Sequence, residues 1–135
     1  MSYSIDEIEG IGPVYAEKLK AVGIRTTEAY LERAKDPKGR KALGEETGID
    51  DKRILKWANM ADLMRISGVG EEYSELLEAA GVDTVKELKH RVPANLHAKM
   101  KEVNEAKKLV RQLPSESGVE KWVAQAKELP AVMTY

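Results

Sequence analysis

The segment from Ile8 to Thr26 returns 58 residues further on, from Ile66 to Thr84, with Ile8, Gly10, Gly12, Tyr15, Glu17, Leu19, Ala21, Gly23 and Thr26 recurring identically. A match at one fixed offset marks a duplicated unit, so any fold for the chain must accommodate that unit twice. In each copy an apolar residue precedes Gly-x-Gly, and a second glycine follows a segment whose apolar residues fall at helical spacing. The pattern predicts a helix, a tight turn and a second helix. Gly10, Gly12, Gly68 and Gly70 are expected to supply positive φ and close helix approach, with Ile11 or Val69 tucked inward as a plug. Pro13 suits the first turn of the following helix, and Gly23 and Gly81 suit left-handed C-terminal caps.

Each unit continues beyond its turn. Ser4 and Asp62 are expected N-caps of a short leading helix, and Ser4 with Glu7 has capping-box spacing, as does Thr84 with Glu87. Asp36-Pro37 opens a helix to about Gly48, and Asp50 caps another carrying Ile54 and Trp57. Pro93 is expected to open a long helix from about Ala94 to Leu113, followed after Pro114-Ser115 by one carrying Val119 and Trp122. The expected architecture is all-α: a first unit over residues 1–60 and a second over 61–135, packed as one compact pseudo-symmetric body.

Composition narrows the alternatives. Runs of alternating β-branched and polar residues are absent, and the chain has no phenylalanine and no cysteine. Disulfides, thiolate metal sites and a cysteine nucleophile are thereby excluded. No apolar run approaches the roughly 18 residues that span a bilayer, so a soluble cytoplasmic protein with no membrane partner is the expectation. The net charge of −1 hides an uneven distribution: −5 from Asp62 to Glu87 and +5 from Lys89 to Arg111. Acidic and basic surfaces on one small protein invite pairing within or between chains.

Gly10-Ile-Gly-Pro13, followed by Ala16-Glu-Lys-Leu19 and Gly23-Ile24, resembles the helix-hairpin-helix superfamily of DNA repair, replication and recombination proteins. With Leu43-Gly-Glu-Glu-Thr-Gly-Ile49, Trp57-Ala-Asn-Met-Ala-Asp-Leu63 and Gly68-Val-Gly70, the full chain resembles a family of tandem helix-hairpin-helix proteins catalogued as a domain of unknown function. The resemblance implies that hairpin amides and the N-terminus of the second hairpin helix meet a backbone phosphate without reading bases, an arrangement that suits anion binding. Carried onto this chain, the implied residues are Gly10, Ile11, Gly12 and Val14 in the first copy, and Gly68, Val69, Gly70 and Glu72 in the second. Lys18, Lys20 and Arg25 lie near the first copy. The second departs from the pattern, because Glu71, Glu72 and Glu75 would repel a phosphodiester. Those glutamates form instead a candidate acidic surface for a protein partner.

A further basic stripe, His97, Lys101, Asn104, Lys108 and Arg111, is expected along the helix after Pro93, beside an apolar face of Leu96, Met100, Val103, Ala106, Val110 and Leu113. It could track a phosphate backbone, or simply be a solvated exterior. Tyr15 and Tyr73 fit packing against Leu19 and Leu77 one turn on, and Trp57 and Trp122 fit anchors for each unit's last helix. His90 and His97 flank Pro93 and make no paired metal site. With no phosphate-loop or nucleophile motif either, an enzyme is not expected, and neither is a metal, cofactor or small-molecule substrate. The leading expectation is a non-enzymatic module that binds DNA or RNA backbone through the first hairpin. The alternative is a protein-interaction or scaffolding module, with self-assembly through the acidic second hairpin and a basic helix of another copy as one form of it.

Overall fold

A computed structural model describes residues 3–135. Among the described residues it is all-α: a short 3-10 helix, Ile5–Glu7, precedes α1 (Pro13–Ala21), α2 (Thr27–Ala34), α3 (Pro37–Thr47), α4 (Asp51–Leu63), α5 (Glu71–Ala79), α6 (Val85–Leu88), α7 (Pro93–Lys107) and α8 (Glu116–Glu128). There are no strands among these residues, only an isolated antiparallel bridge between Ser4 and Thr26. Local chemistry sets most of the boundaries. Proline occupies the opening position of α1, α3 and α7, where its missing N–H breaks no helical bond. Thr26, Asp36, Asp50, Thr84 and Ser115 cap α2, α3, α4, α6 and α8 by accepting first-turn N–H groups.

The buried side chains fall into two clusters. One gathers Ile5, Ile8, Leu19, Tyr30, Leu43, Ile54, Trp57 and Met64 with their neighbours, and the other gathers Leu63, Ile66, Val69, Leu76, Val82, Met100, Val119 and Trp122. They abut at the end of α4, which sends Met64 into one and Leu63 into the other. Among the described residues, no buried side-chain nitrogen or oxygen lacks a hydrogen-bond partner. The Tyr30 hydroxyl donates to the Ile54 carbonyl at 2.7 Å, and burial drives its pKa upward.

Three expectations need correction. Asp62 caps no leading helix: it is buried within α4, where its carboxylate accepts the Val85 N–H at 2.8 Å and pairs with Arg65 at 2.8 Å. At the matching place in the first repeat the Thr27 N–H goes to the Tyr3 carbonyl instead, so one backbone demand is met by two different acceptors. Gly12 and Gly70 are not in the left-handed region. They are extended N-caps of α1 and α5, and only Gly10 and Gly68 turn the chain with φ of +96° and +92°.

The third correction concerns α7, which ends at Lys107 rather than Leu113. Lys108 takes the left-handed conformation at φ +52°, and the Asn104 amide braces the reversal by accepting the Val110 N–H and donating to the Val110 carbonyl. Ala106 is exposed rather than part of an apolar face, while Val110 is buried from the segment beyond the helix.

Residues after α8 run back across the molecule as an extended strap. Arg65 donates to the Pro130 carbonyl, Thr134 N–H to the Lys35 carbonyl, Arg40 to the Thr134 carbonyl and the Tyr135 hydroxyl to Asn59. Met133 inserts into the first core cluster.

Candidate functional site

The two Gly-x-Gly turns share one internal construction. At Gly10 and Gly68 an added Cβ would lie 3.3 Å from Trp57 Nε1 and 3.2 Å from Trp122 Nε1 respectively. Each tryptophan also meets the tyrosine of its own unit, Tyr15 or Tyr73, with ring centroids 5.2 Å apart. The plug residues Ile11 and Val69 are buried, and their N–H groups donate to the carbonyls of Ile8 and Ile66. The Ile11 amide, implied above as a phosphate donor, is therefore already engaged.

Outside that shared interior the turns differ. Gly12 caps α1 without any side-chain hydrogen bond, the first turn of α1 contains no acid, and Val14 is 66% exposed. The Val14 and Tyr15 amides belong to the first turn, where a helix leaves its N–H groups without intrahelical acceptors. Lys18 and Lys20 stand in the last turn of α1, at the opposite end of the dipole. Lys20 shares a cleft with Ile11 and Pro13, but also with Asp6 and Glu17. Arg25 lies beyond α1, exposed, with its carbonyl accepting the Ile5 N–H.

The second turn opens α5 with Glu71 and Glu72 in its first turn. Glu72 accepts from both the Arg111 N–H at 3.3 Å and its guanidinium at 3.4 Å, so part of the acidic and basic surfaces pair within the chain. Glu71 faces Glu9 across the boundary between the repeats. A hydrogen bond shared with Glu9, then partial burial and the charges of Glu9, Glu7 and Glu72, push its pKa up to about 7. Burial and the Glu9 charge likewise raise Glu75, with Lys56 opposing. The result is a crowded, under-neutralised acidic surface.

The basic stripe is only partly assembled. Lys101, Lys108 and Arg111 line one shallow cleft with Asn104 and Glu105, although the helix that was to present them ends at Lys107. His97 donates from its ring to the Pro114 carbonyl at 2.8 Å and so braces the turn into α8. No group of His, Cys, Asp and Glu among the described residues could hold a metal ion. No helix among those residues is long and apolar enough to cross a membrane.

Sequence reasoning missed Arg53. It stands four residues before Trp57 on one face of α4, with its guanidinium 5.5 Å from the centre of the Tyr15 ring and 2.5 Å from the Asp50 carboxylate. The helical spacing to Trp57 was the available signal.

Residues 9–129, which include both turns and all eight α-helices, match the model of a family described as a domain of unknown function, DUF4332. The chain belongs to the DUF4332 family. No curated protein and no solved structure matches it. The DUF4332 match includes both tryptophans, Tyr15, Tyr73 and Arg53, whereas the strap from Pro130 to Tyr135 lies outside it.

Proposed function

We propose that this DUF4332 protein is a non-enzymatic cytoplasmic module of two helix-hairpin-helix units, residues 1–60 and 61–135, packed as a pseudo-symmetric tandem repeat. Its first hairpin binds the phosphate backbone of DNA or RNA without reading bases. The observation that carries this reading is the bare N-terminus of α1: a glycine cap, no acidic residue in the first turn, and the exposed Val14 beside it. Unpaired amides at the positive end of a helix dipole suit a phosphate oxygen, and a glycine cap allows close approach. The second hairpin lacks this property, because Glu71 and Glu72 occupy the corresponding turn.

Fluorescence anisotropy with labelled duplex and single-stranded oligonucleotides, at low and moderate salt, tests the reading. Binding that weakens linearly in log–log form with salt is the expected result. Absence of binding at low salt overturns it.

A second reading, a docking site for a basic protein surface, is favoured by the crowding of Glu7, Glu9, Glu71, Glu72 and Glu75. A cationic partner would relieve that repulsion. Head-to-tail self-assembly draws less support, because the Glu72 to Arg111 contact forms within one chain. Sedimentation over a range of concentrations tests it, and a sharp monomer throughout rules out self-assembly.

A further inference from the structure

We propose that Arg53 is the residue that neutralises a nucleic-acid phosphate at the first hairpin, and that Asp50 holds it in reserve; the assignment rests on the backbone-binding reading above. A chain of side-chain contacts, edge-on between Tyr15 and Trp57, connects the turn to this cation. Gly10 lies against the Trp57 indole nitrogen, Trp57 meets the Tyr15 ring, and the Arg53 guanidinium covers that ring at 5.5 Å. Tyr15 is the third residue of α1, so the Arg53 guanidinium lies against a side chain of the same turn that carries the Val14 and Tyr15 amides.

The lysines nearest in sequence are less well situated. At a rise of about 1.5 Å per residue, Lys18 and Lys20 stand about 6 and 9 Å along the α1 axis from Val14. There they meet the negative end of the helix dipole, and Lys20 has Asp6 and Glu17 beside it. Arg53 offers better chemistry as well. Its planar guanidinium has five donors, and Asp50 engages Nη1, so a phosphate oxygen can be met by the remaining edge or by swinging the side chain away from the carboxylate. The ion pair is about half exposed on both sides, with relative exposures of 53% for Arg53 and 48% for Asp50. Water already competes for such a pair, and exchange for a phosphate requires no buried charge to be stranded.

Asp50 acts twice. One oxygen accepts the Arg53 N–H as the cap of α4, and the other pairs with the guanidinium. Asp50→Asn therefore keeps a capping side chain and removes the charge that restrains Arg53. At the second hairpin the cation is Arg111, and its carboxylate partner, Glu72, stands in the first turn of α5 itself.

The experiment is an anisotropy titration of a fluorescent oligothymidylate strand with the full chain and four variants, each checked for folding by circular dichroism. Arg53→Gln is expected to weaken binding about tenfold and to lower the slope of log K against log salt by about 0.7. Arg53→Lys should recover part of the affinity and the full slope, and Asp50→Asn should tighten binding about threefold. The slope counts phosphates neutralised, so a merely structural role for Arg53 would leave it unmoved. If Arg53→Gln leaves affinity and slope unchanged while the double variant Lys18→Gln/Lys20→Gln abolishes binding, the assignment is overturned and the backbone-binding reading stands. If the unaltered chain does not bind the strand at all, both fall.

Discussion

The first and second Gly-x-Gly turns agree in what they bury and disagree in what they show. Inside, the glycine φ values, the tryptophan nitrogens over the glycines and the tyrosine–tryptophan distances match closely. Outside, Pro13-Val14 in the first copy corresponds to Glu71-Glu72 in the second, and the tyrosines have different company. Tyr15 lies under Arg53, while the Tyr73 hydroxyl donates to the Gln112 carbonyl. Packing against a common tryptophan fixes the interior of a repeat, because a misplaced ring leaves a void or a clash. Exposed first-turn positions carry no such constraint, and that is where the two copies are free to diverge.

The sharpest test of the shared interior is loss of the tryptophans. Trp57→Ala and Trp122→Ala are each expected to destabilise the protein by about 3–5 kcal/mol, read from urea unfolding. A difference of more than about 2 kcal/mol between them, the full width of that range, would break the equivalence. Next in size is the strap, whose Met133 enters the first core cluster and not the second. Met133→Ala should cost about 2 kcal/mol. Amide hydrogen exchange should show that α2 to α4 lose protection while α7 and α8 keep theirs, as Met133 packs in the first cluster alone. Equal loss of protection in both clusters would mean the strap stabilises the molecule as one undivided body.

The glycines divide the comparison more finely. Gly10→Ala and Gly68→Ala force an L side chain into positive φ against a tryptophan, at about 1–2 kcal/mol each. Gly12→Ala and Gly70→Ala fall on extended backbone, where no atom lies closer than 3.9 Å to the added Cβ, and should change stability by less than about 0.5 kcal/mol. Thermal melts of the four variants separate the two classes. If Gly12→Ala instead proves as damaging as Gly10→Ala, the turn is held by something other than the conformation at its first glycine.

Much of the helical framework was legible because caps, prolines and the repeat are local signals. Thr26, Asp36, Asp50 and Thr84 cap where their residue types suggest, and the plugs and anchors Ile11, Val69, Trp57 and Trp122 are buried. What escaped depends on contacts between distant residues. The end of α7 was hidden because Val110 and Leu113 continue a helical spacing and Lys108 turns the chain without glycine. The Asn104 side-chain bonds to Val110 brace that turn. Asp62 looked like a cap because its sequence position matches Ser4, yet its partner Val85 comes from across the fold. Of the candidate site, the bare turn at Gly12 and Val14 was readable, whereas Arg53 reaches it only through tertiary stacking on Tyr15.

The smallest expected effect concerns the acidic face, and it has a definite sign. The hydrogen bond shared with Glu9 pushes the Glu71 carboxyl up to about 7 in the folded protein, from an ordinary value of 4.5. Between those two values the folded chain holds a proton that the unfolded chain has released, so stability should fall as pH rises from about 4.5 to 7 and level off above. Most of the Glu71 side chain faces solvent, which screens the repulsion, so the loss should stay below about 1 kcal/mol. Glu71→Gln removes the charge while keeping a side chain that can hydrogen-bond Glu9. It should flatten that segment of the pH profile and raise the melting temperature at pH above 7 by about 2 °C. The first repeat carries Pro13 at the matching position, so a proline there is compatible with the turn and the glutamate is not required by the fold. A pH profile unchanged by Glu71→Gln would mean that Glu9 and Glu71 stand too far apart in solution to share a proton, and the contrast between an open first turn and a self-repelling second would then rest on Glu72 alone.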